Sequence, residues 1–149
     1  MKPSMPKPAA LWILSSGFLE GGDATLDLIR SGTYRGGYAY LPVLFLYFRS
    51  IELGLKAILV GNGVSEREIA KALGHRISAL IRRVEGFVSL VDLGISSSDR
   101  AILDKFSDDY SEKWFEYPAR LWRPVPKLDQ LRKMAHEVCD AVKARVRKF

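Results

Sequence analysis

Between residues 41 and 60 the sequence LPVLFLYFRSIELGLKAILV is apolar almost all the way round a helical wheel. That is the pattern of a helix buried at the centre of a bundle. Its only charged residues, Arg49, Glu52 and Lys56, recur at i, i+3 and i+7. At about 100° per residue they share one narrow stripe. The flanking segments read as the faces that cover this helix. A first helix is predicted over about residues 9–30, with Pro8 in its first turn and Leu11, Leu14, Phe18, Leu26 and Ile29 inward. Gly17, Gly21 and Gly22 each weaken a helix interior by about 1 kcal/mol relative to Ala. They mark a break or an unusually close neighbour, and an unbroken helix is the preferred reading. The central helix is expected over about residues 40–61, stopped by Gly61-Asn62-Gly63.

Ser65-Glu66-Arg67-Glu68 matches a capping box, so a short helix should start there and end near Leu73-Gly74. A third major helix is expected from His75, with Ile77, Leu80, Ile81 and Val84 on one face and Arg76, Arg82 and Arg83 largely off it. The run FVSLVDLG has some strand character but would have no partner strand, so residues 86–94 read as a helix end plus a packed connection. Ser96-Ser97-Ser98-Asp99 signals the start of a helix with Ile102, Leu103, Phe106 and Tyr110 inward. Residues 115–126 contain three prolines and read as a loop that packs down through Phe115, Tyr117, Leu121 and Trp122. Pro126 opens the last helix, with Leu128, Leu131, Ala135, Val138 and Val142 at core spacing. The pattern therefore predicts an all-α, up-and-down bundle of four to five helices. It forms a single domain over residues 1–149, with residues 1–7 as a loose tail.

Composition changes this picture little. The 149 residues are 48% hydrophobic and 27% charged, ordinary for one globular domain. Lys and Arg number 23 against 17 Asp and Glu, a net charge of +6 that favours anionic partners. One cysteine, Cys139, excludes an intramolecular disulfide. A membrane span is not expected: only thirteen uncharged residues separate Arg35 from Arg49, against roughly 20 for a spanning helix. Lys2, Lys7 and the run AALWILSSGFL imitate a signal peptide. Ser15, Ser16 and Gly17 interrupt that run and its spacing continues toward Leu26 and Ile29, so a first helix in a cytoplasmic protein is the expectation. The stretch TYRGGY after Ser31-Gly32 lacks the GxxxxGK[ST] spacing of a phosphate loop and reads as a turn.

The string Arg49-x-x-Glu52-Leu53-x-Leu55-Lys56-Ala57-x-Leu59 resembles the central helix of the prokaryotic HEPN families. Gly74-His75-Arg76-Ile77-x-x-Leu80 is similar to their GH-containing helix start, and Phe115-Glu116-Tyr117-Pro118 to the aromatic-Tyr-Pro turn before their final helix. The resemblance implies a bundle of four or five mainly antiparallel helices, usually dimeric and linked to RNA or nucleotide handling. It also implies a toxin–antitoxin or defence setting, with a nucleotidyltransferase-like protein as a possible partner. Ribonuclease members carry Arg followed, after four to six residues, by His. Here seven residues separate Arg67 from His75 and three separate Arg132 from His136. Neither spacing fits, so a non-catalytic binding protein is the first expectation. A divergent metal-independent ribonuclease using His136, Arg132 or His75 is the alternative, and a helical protein-interaction module a third.

The residues leave further choices. Arg49, Glu52 and Lys56 read most simply as an ion-pair stripe at favourable i, i+3 and i, i+4 spacings. A polar site inside the bundle and a dimer contact are the alternatives. His75 is placed to bind an anion at a helix start or to cap the turn. His136 and Cys139, at i, i+3, share a helical face, but nothing in the spacing supplies two further ligands, so no metal or other cofactor is expected. Arg76, Arg82, Arg83, Lys143, Arg145, Arg147 and Lys148 are candidate phosphate contacts. Cations near helix C-termini also complement the helix dipole without any ligand.

Overall fold

The computed structural model describes residues 7–33, 39–116 and 124–149. The tail over residues 1–6, residues 34–38 of the glycine-rich connection, and Tyr117, Pro118, Leu121 and Trp122 of the proline-rich loop lie outside the described residues. The protein is an all-α helical bundle with no strand among the described residues. Its helices are α1 (Pro8–Arg30), α2 (Tyr40–Gly61), α3 (Glu66–Glu68), α4 (Ile77–Val84), α5 (Ser97–Ser111) and α6 (Leu128–Val146). A π-helical turn, Ile69–Leu73, extends α3, and a 3-10 turn, Val91–Leu93, precedes α5.

The apolar run forms α2, which is buried on nearly every side. Helices α1 and α6 pack on α2 and on each other, α4 covers α2 elsewhere, and α5 packs on α4. The helix starts follow the capping residues. The Ser65 hydroxyl accepts the Glu68 N–H at 3.1 Å. At α5, Ser96 and Asp99 form a reciprocal capping box, each side chain accepting the other's N–H at 3.1 Å.

Helix α1 runs unbroken through its glycines, but its inward face differs from the apolar reading. Leu11, Ser15, Leu19, Gly22, Leu26 and Ile29 are buried, while Leu14 is 50% exposed and Phe18 half-buried. Close packing against α2 selects small residues over large ones at the tightest points. The Ser15 hydroxyl donates to the Ser50 carbonyl at 2.7 Å. At Gly22 a Cβ would stand 2.7 Å from the Tyr47 ring. That glycine is the slot through which Tyr47 passes.

The helix expected from His75 is shorter than predicted. It begins at Ile77 and ends at Val84, giving way to turns around Glu85 and Gly86. Its inward residues Ile77, Leu80, Ile81 and Val84 are buried as the pattern requires. Residues 87–94 form a packed connection, with Val88 and Leu93 buried. In the last helix Leu131, Ala135, Val138 and Val142 are buried as expected.

Candidate functional site

The polar stripe of α2 turns inward at its centre. Glu52 is 0% exposed, and a buried carboxylate is tolerated only when its oxygens are paired. Lys56, one turn on, donates to Oε1 at 2.5 Å, and Arg49, one turn back, reaches both oxygens through Nη1 at 3.0 Å. The Tyr110 hydroxyl, from the last turn of α5, donates to Oε2. His75 Nδ1 lies 2.8 Å from Oε1. Burial pushes the Glu52 carboxyl up, but Lys56, Tyr110 and Arg49 outweigh it and hold the group below the usual carboxylate range. Burial first, and then the Glu52 charge, push the Tyr110 phenol well above its ordinary value.

A carboxylate can only accept, so the His75 proton sits on Nδ1. The 3.3 Å approach of Arg49 Nη1 to that same nitrogen is then proximity between two donors. Fixing Nδ1–H in this way leaves Nε2 of a half-exposed ring for solvent or a ligand among the described residues. Gly74 makes the contact possible. Its φ of 55° and ψ of −125° lie where side-chain-bearing residues rarely go, and they turn the chain back toward α2 immediately before His75. Arg76 occupies the N-cap position of α4, so His75 lies one residue before it.

Beside this network is a cleft of about 340 Å³ lined by Phe18, Phe45, Arg49, His75, Tyr110, Ser111, Lys113 and Glu116. Phe45 and Tyr110 have ring centroids 6.3 Å apart, and Tyr110 stacks at 5.4 Å on buried Phe48. The Arg49 guanidinium stands 5.8 Å from the Phe18 ring centroid. Lys113 reaches the cleft from an unusual backbone position. It has φ +62°, at the residue after the C-cap of α5. The Lys113 N–H bonds to the Tyr110 carbonyl at 3.1 Å and the Trp114 N–H to the Asp109 carbonyl at 2.9 Å. This is the Schellman pattern, whose left-handed residue is usually glycine.

His136 and Arg132 also come together, but elsewhere. Both lie on α6 and converge on Asp23 of α1, His136 Nε2 at 2.7 Å and Arg132 Nε at 3.0 Å. The Tyr47 hydroxyl donates to the same carboxylate at 2.7 Å. Burial and the bond to Asp23 push the Tyr47 phenol up. Tyr47 and Arg49 are two residues apart in α2, so the Asp23 cluster and the cleft lie on opposite sides of that helix. His75 and His136 therefore do not share a site.

The candidate phosphate contacts are dispersed. Arg83 pairs with Glu68 at 2.6 Å, Arg145 with Asp92 at 3.7 Å, and Arg76 turns back on the Ala72 carbonyl. Lys143 lies over the Trp12 ring at 5.4 Å. Arg82, Arg147 and Lys148 make no ion pair among the described residues. Cys139 is buried, its thiol pushed up chiefly by that burial. Among the described residues no group of three or more His, Cys, Asp or Glu side chains is placed to hold a metal ion. None of the helices searched is long and apolar enough to cross a membrane.

Sequence reasoning did not find Asp23, Phe45 or Lys113. Tyr110 was legible as an inward residue but not as a partner of Glu52. No family model, curated protein or solved structure matches this chain.

Proposed function

We propose that the protein is a non-catalytic, HEPN-like binding protein that takes RNA or a nucleotide in the cleft at Arg49, His75 and Lys113. The observation that carries this reading is the wholly buried Glu52, which fixes a guanidinium and an imidazole on the lining of an aromatic cleft. Cations recognise phosphate, and aromatic faces stack on bases with little regard to sequence. A homodimer working beside a nucleotidyltransferase-like partner in a toxin–antitoxin or defence setting completes the proposal, on the resemblance of the helix motifs alone.

Binding is favoured over cleavage because RNA transesterification uses one group to take a proton and another to give one. Among the described lining residues the cleft holds one imidazole, and the Tyr110 proton is committed to Glu52, so cleavage would have to draw its second proton-transfer group from Lys113 or Glu116. The carboxylate behind His75 does favour a second reading, a ribonuclease with His75 as its base, since such a carboxylate fixes the tautomer that a general base needs.

The test is a polarisation titration of labelled single-stranded RNA at two salt concentrations, with the RNA then run on a denaturing gel. Wild-type protein should bind, more weakly at high salt, and Phe45→Ala should weaken binding about tenfold through lost stacking. The RNA should emerge intact. Cleavage that His75→Ala abolishes would replace binding with catalysis, and indifference to RNA at both salt concentrations would leave an interaction module.

A further inference from the structure

Resting on the RNA or nucleotide reading of the cleft, we propose that its ligand is a single nucleotide unit carrying a terminal phosphate monoester. The unit is either free or at the end of a strand, with the phosphate on Arg49, His75 and Lys113 and the base against Phe45 and Tyr110.

Size and charge both point there. The cleft of about 340 Å³ is at the lower end of the roughly 300–1,000 Å³ of ligand sites. It has room for one nucleotide rather than for a run of stacked bases. Arg49, Lys56 and Lys113 stand against Glu52 and Glu116 in the network and on the lining. That leaves one positive charge. A phosphate monoester carries about −1.5 to −2 near neutral pH and so gains more from the Arg49 and Lys113 cations than an internal diester, which carries only one negative charge. The cations are also built in rather than adventitious. Glu52 takes the Nη1 end of Arg49 and fixes one His75 proton on Nδ1, so Nε2 is the ring atom left for the phosphate, accepting from a phosphate O–H or, where the ring carries a second proton, donating to a phosphate oxygen. Lys113 is brought to the lining by a left-handed backbone that glycine would adopt more easily.

The experiment uses the full chain and one short RNA sequence in four forms: 5′-phosphorylated, 3′-phosphorylated, unphosphorylated and circular. Adenosine 5′-monophosphate and adenosine are titrated alongside. A phosphorylated end, or the monophosphate, should bind about tenfold or more tightly than its unphosphorylated counterpart and than the circle, the range of a charge-assisted contact. Advantage in the RNA arms identifies a strand end as the source, and advantage in the mononucleotide arm alone identifies a free nucleotide. Lys113→Gly, which suits its backbone, should reduce that advantage by weakening the phosphorylated forms more than the unphosphorylated ones. A circle that binds as tightly as the phosphorylated strands would overturn this inference while leaving RNA binding intact. Absence of binding by every form would remove both.

Discussion

His75 Nδ1 lies 2.8 Å from Oε1 of Glu52, so a half-exposed imidazole is held by a carboxylate that is itself wholly buried. The two residues have different duties. Glu52 balances Arg49 and Lys56 within the bundle, while His75 uses that balanced charge to hold its ring against the cleft. Stability and ligand binding should therefore separate between them.

Glu52→Gln leaves Arg49 and Lys56 without a counter-charge where neither is freely solvated. It should destabilise the fold by about 3–5 kcal/mol, read from urea unfolding. His75→Ala removes an exposed partner and should lose less than about 1 kcal/mol, with its main effect on ligand affinity. Equal losses from the two substitutions would refute this division.

Acid should act on the same group. The folded-state pKa of Glu52 lies below its ordinary value of 4.5, so the folded protein holds on to fewer protons than the unfolded chain as pH falls through that region. The stabilisation is complete above about pH 4.5 and is lost as pH falls through the lower folded value. Melting temperatures between pH 6 and 3 should fall more steeply for wild type than for Glu52→Gln. Parallel curves would locate the acid-sensitive group elsewhere. Asp129, held low by exposed Arg30, acts with the same sign in both proteins.

Two glycines in α1 make opposite predictions. A Cβ at Gly22 would meet the Tyr47 ring at 2.7 Å, whereas a Cβ at Gly17 meets nothing within 4 Å. Gly22→Ala should destabilise by about 1–3 kcal/mol through overpacking, and Gly17→Ala should stabilise by about 0.5–1 kcal/mol through helix propensity. Thermal unfolding of both variants decides it. A stabilising Gly22→Ala would mean that Tyr47 moves aside easily.

The contrast between these glycines also shows what the sequence could reveal. Hydrophobic period located α2, α5 and α6 because each buries a stripe that repeats with the helix. It misplaced the inner face of α1, where Ser15 and Gly22 are buried for closeness rather than apolarity. The Arg49–Glu52–Lys56 stripe was legible as paired charges from spacing alone. Its partners His75 and Tyr110 come from 23 and 58 residues away, and a local period carries no information about such contacts. Asp23 had the same disguise, one of three acids in α1, with partners that arrive from α2 and α6.

Lys113 offers a separation of stability from function. A residue with a side chain at φ +62° is strained by about 1 kcal/mol or more relative to glycine. Lys113→Gly should therefore raise the melting temperature by a few degrees while weakening phosphate binding. A variant that melts lower, or binds as tightly, would show that the left-handed lysine is not retained for the cleft.

The Asp23 cluster lies on the opposite side of α2 from the cleft. Tyr47 is completely buried and its hydroxyl donates to Asp23, so removing the acid alone strands a buried hydroxyl. Asp23→Ala should lose about 1–3 kcal/mol for that reason, whereas Tyr47→Phe removes the hydroxyl together with its need for a partner and should lose about 0.5–1.5 kcal/mol. In the double variant the orphaned hydroxyl no longer exists, so the combined loss should fall short of the two single losses taken together. Arg132 and His136 pair with Asp23 while 32% and 44% exposed, and alanine at either should change stability by less than about 1 kcal/mol. His136→Ala should leave ligand affinity at the cleft unchanged, because α2 stands between the two clusters. Additive losses in the cycle would show that Asp23 serves His136 and Arg132 rather than Tyr47, and would return that histidine to consideration as a functional group.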